Sequence, residues 1–200
     1  MLKIAVLISG GGSNLKALLD AADDPDFPAR IVCVGSDTDA SGLDHARAAG
    51  VPVFIERPRD AATREEWGER LAAAIRQHGV DGSDDSLVVS AGLMRILPAG
   101  FVRAFSPRLI NTHPALLPAF PGAHAVRDAL AAGATRTGVT VHVIDEGVDT
   151  GPVLRQEAVD VRPGESEEDL HERMKQLERP LLVRTVRDIA LGELELPGAG

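Results

Sequence analysis

The chain has 200 residues, 44% hydrophobic and 26% charged, with a formal net charge of -9, enough apolar material for one core and a single domain spanning 1–200. A chain this acidic lacks the basic face that wraps a polyphosphate backbone, so no nucleic acid is expected as a partner and an anionic ligand must be met locally. The lone cysteine, Cys33, excludes a disulfide framework, and no apolar run is long enough to span a bilayer; no membrane association is expected, and the location implied is cytoplasmic.

Met1-Leu2-Lys3 leads directly into the first strand pattern instead of a signal peptide. Lys3 to Ser9 is a short continuous apolar run ended by glycines, which suits a strand buried on both faces of a parallel sheet. A helix is predicted over Asn14 to Ala22, a second strand over Arg30 to Ser36, a helix from Gly42 to Ala49 closed by Gly50, and a third strand from Pro52 to Ile55. Thr63 with Glu66 makes a capping box for a helix to about His78, with Gly79 as its stop. Beyond the acidic loop Asp81 to Asp85, two buried strands, Leu87 to Ala91 and Arg108 to Asn111, flank a short helix from about Pro98 to Ala104. Alternation of this kind predicts an α/β fold, doubly wound, with a mostly parallel sheet.

After Asn111 the texture changes. A proline-rich loop to Pro121 precedes a helix near Ala123 to Ala132; Gly138 to Ile144 and Pro152 to Val161 then read as antiparallel strands at the C-terminal edge of the sheet. Ser166 caps a long last helix reaching about Ala190, with Pro180 as a possible kink.

Two constellations carry chemistry. Ser9-Gly10-Gly11-Gly12-Ser13-Asn14-Leu15 joins the first strand to the first helix, where free backbone N–H groups and the helix dipole favour an anion. Leu15 stands where the dinucleotide fingerprint needs its third glycine, and the Walker pattern is absent, so a monophosphate is the expected guest. The alternative is a tight turn that only lets helix pack on strand.

The second constellation is Asn111 and His113 with Asp149. Asn111 ends a strand at the carboxyl edge of the sheet, the usual ligand position in open α/β folds, and prolines 114, 118 and 121 restrict the loop that follows. A carboxylate from the Asp145 to Gly151 loop near the imidazole favours a proton donor, and an amide N–H with an imidazolium can hold the oxyanion formed when an amine attacks an acyl carbon. The competing reading is a hydrogen-bonded structural histidine beside a turn-forming carboxylate. His124 and His142 share no zinc spacing with His113, so no metal is expected.

GGGSNLKALL, AGLMRILP, INTHPALLPAFPGAHAVRDAL, TGVTVHVIDEGVDTGPVL and SEEDLHERMKQLE occur in that order, and the chain resembles the phosphoribosylglycinamide formyltransferases almost end to end. The stretch around Asn111 to Pro114, with the later Asp149, is shared across folate-dependent formyltransferases and hydrolases. The glycine loop and the length are similar to those of the purine enzymes. The tRNA-acting relatives have an added C-terminal domain and the hydrolases an added N-terminal one.

The resemblance implies formyl transfer from 10-formyltetrahydrofolate, as cosubstrate, to the amine of glycinamide ribonucleotide, with no metal, by a monomer or homodimer. It implies a phosphate-binding half over about 1–105 and a catalytic, folate-binding part over about 106–192. Asn111 and His113 would face the formyl oxygen, with Asp149 supporting His113 and relaying protons through water. Gly12, Ser13, Asn14, Leu15 and Lys16 would cradle the phosphate, and Glu178 would contact the substrate, with Lys175 a turn earlier. Met94, Arg95, Ile96 and Leu97, with Asn111, would line the folate pocket, and Arg64 would sit near the folate tail. For Arg64 and Lys175 the alternative is a solvated helix face, and for Met94, Ile96 and Leu97 it is core. Gly11 and Ala115 depart from the asparagine and serine frequent in relatives. The competing functions are a formyltetrahydrofolate hydrolase and a non-catalytic nucleotide- or folate-binding module.

Overall fold

Strand β1 (Leu2–Ile8) lies inside the sheet, paired along both edges, and the alternation of its side chains decides how both faces are filled. In the computed structural model, which describes residues 1–198, Leu2, Ile4, Val6 and Ile8 point into one apolar cluster and Ala5 and Leu7 into another. A strand covered on both sides needs an unbroken apolar run, which is what its sequence provides.

The sheet has seven strands in the order β3-β2-β1-β4-β5-β6-β7. These are β1, β2 (Ala29–Ser36), β3 (Val53–Ile55), β4 (Ser86–Ser90), β5 (Leu109–His113), β6 (Arg136–Val143) and β7 (Val153–Asp160). Pairing is parallel from β3 through β5 and antiparallel from β5 to β7. The expected doubly wound sheet with an antiparallel edge is therefore observed.

Six α-helices are present among the described residues: α1 (Ser13–Ala22), α2 (Leu43–Ala48), α3 (Arg64–Arg76), α4 (Ala99–Phe105), α5 (Ala125–Ala131) and α6 (Glu167–Leu191). Leu15 and Leu18 of α1 and Met174, Leu181 and Val186 of α6 fill the first cluster; Trp67, Leu71 and Ile75 of α3 with Phe101 and Phe105 of α4 fill the second. Their spacing places these side chains on one stripe of each helix. The Ser166 hydroxyl accepts from the Asp169 amide at 3.1 Å and caps α6, which continues as one helix through Pro180 to Gly192 in left-handed conformation.

Two local expectations need correction. The return arm of the α3 capping box is displaced by one residue: Thr63 Oγ1 accepts from the Glu66 amide at 3.1 Å, but Glu66 Oε2 accepts from the amide of Ala62, at 2.8 Å, instead of that of Thr63. Strand β5 does not end at Asn111 but continues through Thr112 and His113, because Asn111, Thr112 and His113 pair with His142, Val141 and Thr140 of β6. The antiparallel partner supplies backbone hydrogen bonds beyond the point where the parallel neighbour stops.

Candidate active site

Strand order reverses between β1 and β4, since β2 and β3 lie on one side of β1 and β5 on the other. Ligands of open α/β sheets settle outside the carboxyl ends of the strands at such a point. A cavity of about 530 Å³ opens there, lined by the glycine loop after β1, the Ala91–Leu97 loop after β4, the end of β5, the loop after β6 and one face of α6.

Gly10 to Asn14 forms the floor of one end. Gly12 is left-handed at φ 69°, a conformation that glycine adopts without steric cost, and no side chain caps α1. Among the described residues the amides of Ser13, Asn14 and Leu15 have no backbone acceptor, whereas the Lys16 amide donates to Gly12 O at 2.8 Å. The side chains divide differently from the expectation. Leu15 is fully buried in the core, and Lys16 is exposed and paired with Asp20. They lie outside the cavity because a helix beginning at Ser13 turns them away from its mouth. Opposite this end, Lys175 and Glu178 line the cavity, joined by His171; the three are spaced along one face of α6. Glu178 is buried and has no ion-pair partner among the described residues.

Asn111 and His113 line the other end with Asp149. Asn111 is joined by a residue that sequence reasoning set aside, His142. Its Nδ1 carries the proton donated to the Val143 carbonyl at 3.0 Å, so Nε2 is left as an acceptor for the Asn111 Nδ2 group at 3.3 Å. Burial pushes the His142 imidazole below its ordinary pKa, outweighing the opposing pull of the Val143 carbonyl and Asp149, and favours this neutral form. One amide hydrogen of Asn111 is thereby engaged and the other is free to face the cavity. The signal that could have found His142 is the pairing of β5 with β6, which sets it directly across from Asn111.

His113 Nε2 donates to the Phe120 carbonyl at 2.8 Å, and its Nδ1 lies 3.4 Å from Asp149 Oδ2. Both ring nitrogens thus face protein acceptors, so Asn111, not His113, holds the uncommitted donor. Asp149 Oδ2 also accepts from the Gly122 amide at 2.7 Å, and Oδ1 lies 3.6 Å from His142 Nε2. Asp149 and Phe120 both have positive φ, 54° and 53°, and stand on either side of His113. Backbone held in that region stores of order 1 to 3 kcal/mol per residue and persists only where surroundings enforce it. Thr140 Oγ1 donates to Ala115 O at 2.6 Å and accepts from the Leu117 amide at 3.1 Å, and Gln156 holds Leu117 O at 2.8 Å.

Met94 and Ile96, 66% and 58% exposed, are on the cavity rim instead of in the core, with Arg95 between them; Leu97 lines the cavity and also joins the α3–α4 core. Arg64 is not a lining residue. Its guanidinium donates to the carbonyls of Ile96 and Leu97 from behind, because α3 runs beneath that loop. Among the described residues no group of three His, Cys, Asp or Glu is gathered as a metal site.

An amide and an imidazole with its carboxylate at one end of a switch-point cavity, and free helix-terminal amides at the other, define a protein of the formyl transferase family, whose description matches residues 2–186; the chain belongs to that family. Within it, the chain is 51% identical over 188 residues to the phosphoribosylglycinamide formyltransferase of Mycobacterium tuberculosis, covering 94% of this chain and 85% of the relative. It superimposes on glycinamide ribonucleotide transformylase 1 from Symbiobacterium toebii with a TM-score of 0.93 at 41% identity, over 99% of this chain and 92% of that one. The human trifunctional purine biosynthetic protein adenosine-3 is 36% identical over 195 residues, 97% of this chain but 19% of the larger protein.

Proposed function

We propose that this chain transfers the formyl group of 10-formyltetrahydrofolate to the amine of N1-(5-phospho-D-ribosyl)glycinamide, giving the formylated ribonucleotide and tetrahydrofolate in purine synthesis. The observation that carries the proposal is the cavity's chemistry: α1 amides without an acceptor among the described residues, facing a cavity that Lys175 and Glu178 also line, and the Asn111 amide oriented by His142.

The phosphate sits on the amides of Ser13 to Leu15 with the α1 dipole behind them, and Lys175 adds a cation. Of the five residues expected to cradle it, Gly12, Ser13 and Asn14 line the cavity, Leu15 contributes its backbone alone, and Lys16 has no place in the contact. Glu178, buried without a cationic partner among the described residues, accepts from ribose hydroxyls or the amine, since a desolvated carboxylate needs donors. The folate lies against Met94, Arg95, Ile96 and Leu97, with Arg64 acting on the pocket through that loop.

The amine attacks the formyl carbon, forming a carbon–nitrogen bond while the carbonyl electron pair moves to oxygen. The free N–H of Asn111 stabilises that oxyanion. His113, on giving up the Phe120 carbonyl, supplies a second donor, and Asp149 stays beside it as the balancing charge. Collapse re-forms the carbonyl and breaks the bond to the folate nitrogen; the proton lost by the amine reaches that nitrogen through water near Asp149. The described residues contain no helix long and apolar enough to cross a membrane; we place the activity in the cytoplasm, on small-molecule substrates, within one catalytic unit.

The test is release of tetrahydrofolate from 10-formyltetrahydrofolate with and without glycinamide ribonucleotide. Release only with the amine is expected. Equal release without it would make the chain a hydrolase, and none in either tube a binding module.

A further inference from the structure

Asp37 follows directly on β2, outside the cavity lining, and its side chain is 3% exposed. It is not unpartnered. Arg95 Nε donates to its Oδ2 at 2.6 Å and Ser9 Oγ to its Oδ1 at 2.6 Å. Ser9 Oγ in turn accepts from the Met94 amide at 2.8 Å, and the Ser9 amide donates to Gly92 O at 3.0 Å. One buried carboxylate thus reaches the Met94–Leu97 loop by two routes, a charged one through Arg95 and a neutral one through Ser9.

Apart from Leu97, which joins the α3–α4 core, that loop has little else to hold it. Met94 and Ile96 are exposed, so burial does not fix their place, and Arg64 supports only the carbonyls at Ile96 and Leu97. Loops poor in buried contacts take their conformation from hydrogen bonds, and charge-assisted bonds to a buried carboxylate are the stronger kind. Ser9 also begins the glycine loop, so the same carboxylate is tied to both that loop and the Met94–Leu97 loop, and the Arg95 cation offsets its charge.

We propose that Asp37 is a positioning residue for cosubstrate binding: its carboxylate, through Ser9 and Arg95, sets the shape of the Met94–Leu97 loop against which the folate packs. The proposal rests on the assignment of that loop to the folate.

Asp37→Asn, outside the cavity lining, keeps a side chain able to pair with Ser9 but removes the ion pair; Arg95→Gln removes the same pair and also alters a residue of the folate surface, so Asp37→Asn is the deciding variant. In Asp37→Asn KM for 10-formyltetrahydrofolate is expected to rise about tenfold, the scale of one lost charge-assisted bond. KM for glycinamide ribonucleotide and kcat should stay within about twofold. The double variant should be no worse than Arg95→Gln alone, since Asp37 acts through the pair that Arg95→Gln already removes. Hydrogen exchange at the Met94 amide, measured without any ligand, should quicken in Asp37→Ala, which removes both routes, and reports on the loop even if the wild-type protein transfers no formyl group. Unchanged exchange overturns the proposal. So does quickened exchange with an unchanged cosubstrate KM, or an equal rise in both KM values, which would mark a general loosening; a fall in melting temperature alone counts against it.

Discussion

Asn111 Nδ2 and His142 Nε2 lie 3.3 Å apart on neighbouring antiparallel strands, directly opposite one another in register. The bond engages one amide hydrogen and so determines where the other points. If that second hydrogen meets the oxyanion, Asn111→Ala lowers kcat by about two to three decades, the cost of one oxyanion donor, with both KM values little changed. Single-turnover formyl transfer measures this directly, and a retained rate removes Asn111 from the chemistry.

His142→Phe keeps the ring volume but leaves Asn111 without its acceptor. A fall in kcat of roughly tenfold is expected, as for one neutral hydrogen bond whose loss frees a side chain to rotate. His142→Gln, which can accept at a similar place, should recover part of it. Equal rates in the two variants would mean that His142 only fills space.

Because burial holds the His142 pKa below its ordinary 6.5, the unfolded chain takes up a proton there at a higher pH than the native protein does. The stability linked to this group is fully present above about pH 6.5 and is lost as pH falls from there toward the native value. Urea midpoints measured from pH 8 to pH 5 should decline less steeply in His142→Gln than in the wild type. Parallel profiles would show that the ring is protonated alike in both states.

Gly42, before α2, donates its amide to Gly10 O at 3.0 Å, and a Cβ there would come within 2.7 Å of that oxygen and 2.9 Å of Gly12 Cα. The glycine loop must shift to admit it, as real Cβ atoms do not approach so closely. Gly42→Ala is expected to raise KM for glycinamide ribonucleotide about tenfold or more while sparing the cosubstrate KM, as one or more phosphate contacts lengthen. Initial rates with each substrate varied in turn decide it; a selective cosubstrate effect would place the phosphate elsewhere.

Cys33 is fully buried on β2, and burial pushes its thiol up to about 12. At neutral pH the thiolate needed for reaction is scarce, so a thiol reagent should modify native protein only as fast as it unfolds. Labelling faster than global unfolding would indicate an opening of the second core.

The alternating apolar runs, the glycine stops and the Ser166 cap were legible without coordinates, because local propensity and two-sided burial agree with the observed elements. That Asn111, His113 and Asp149 share one cavity was legible as well, through spacing and family resemblance. What one dimension did not contain was the partner of each group. His142 stands 31 positions from Asn111 and meets it only through β5–β6 register, and Asp37 stands 58 from Arg95 and meets it only because β2 and β4 flank β1. Arg64 and Lys16 carried the charge expected of ligand contacts, yet helix phase turned one toward a loop's carbonyls and the other toward Asp20. Residue type and short-range order determined the chemistry available to this protein; strand register and helix phase, which depend on how distant segments pack, decided which atoms can use it.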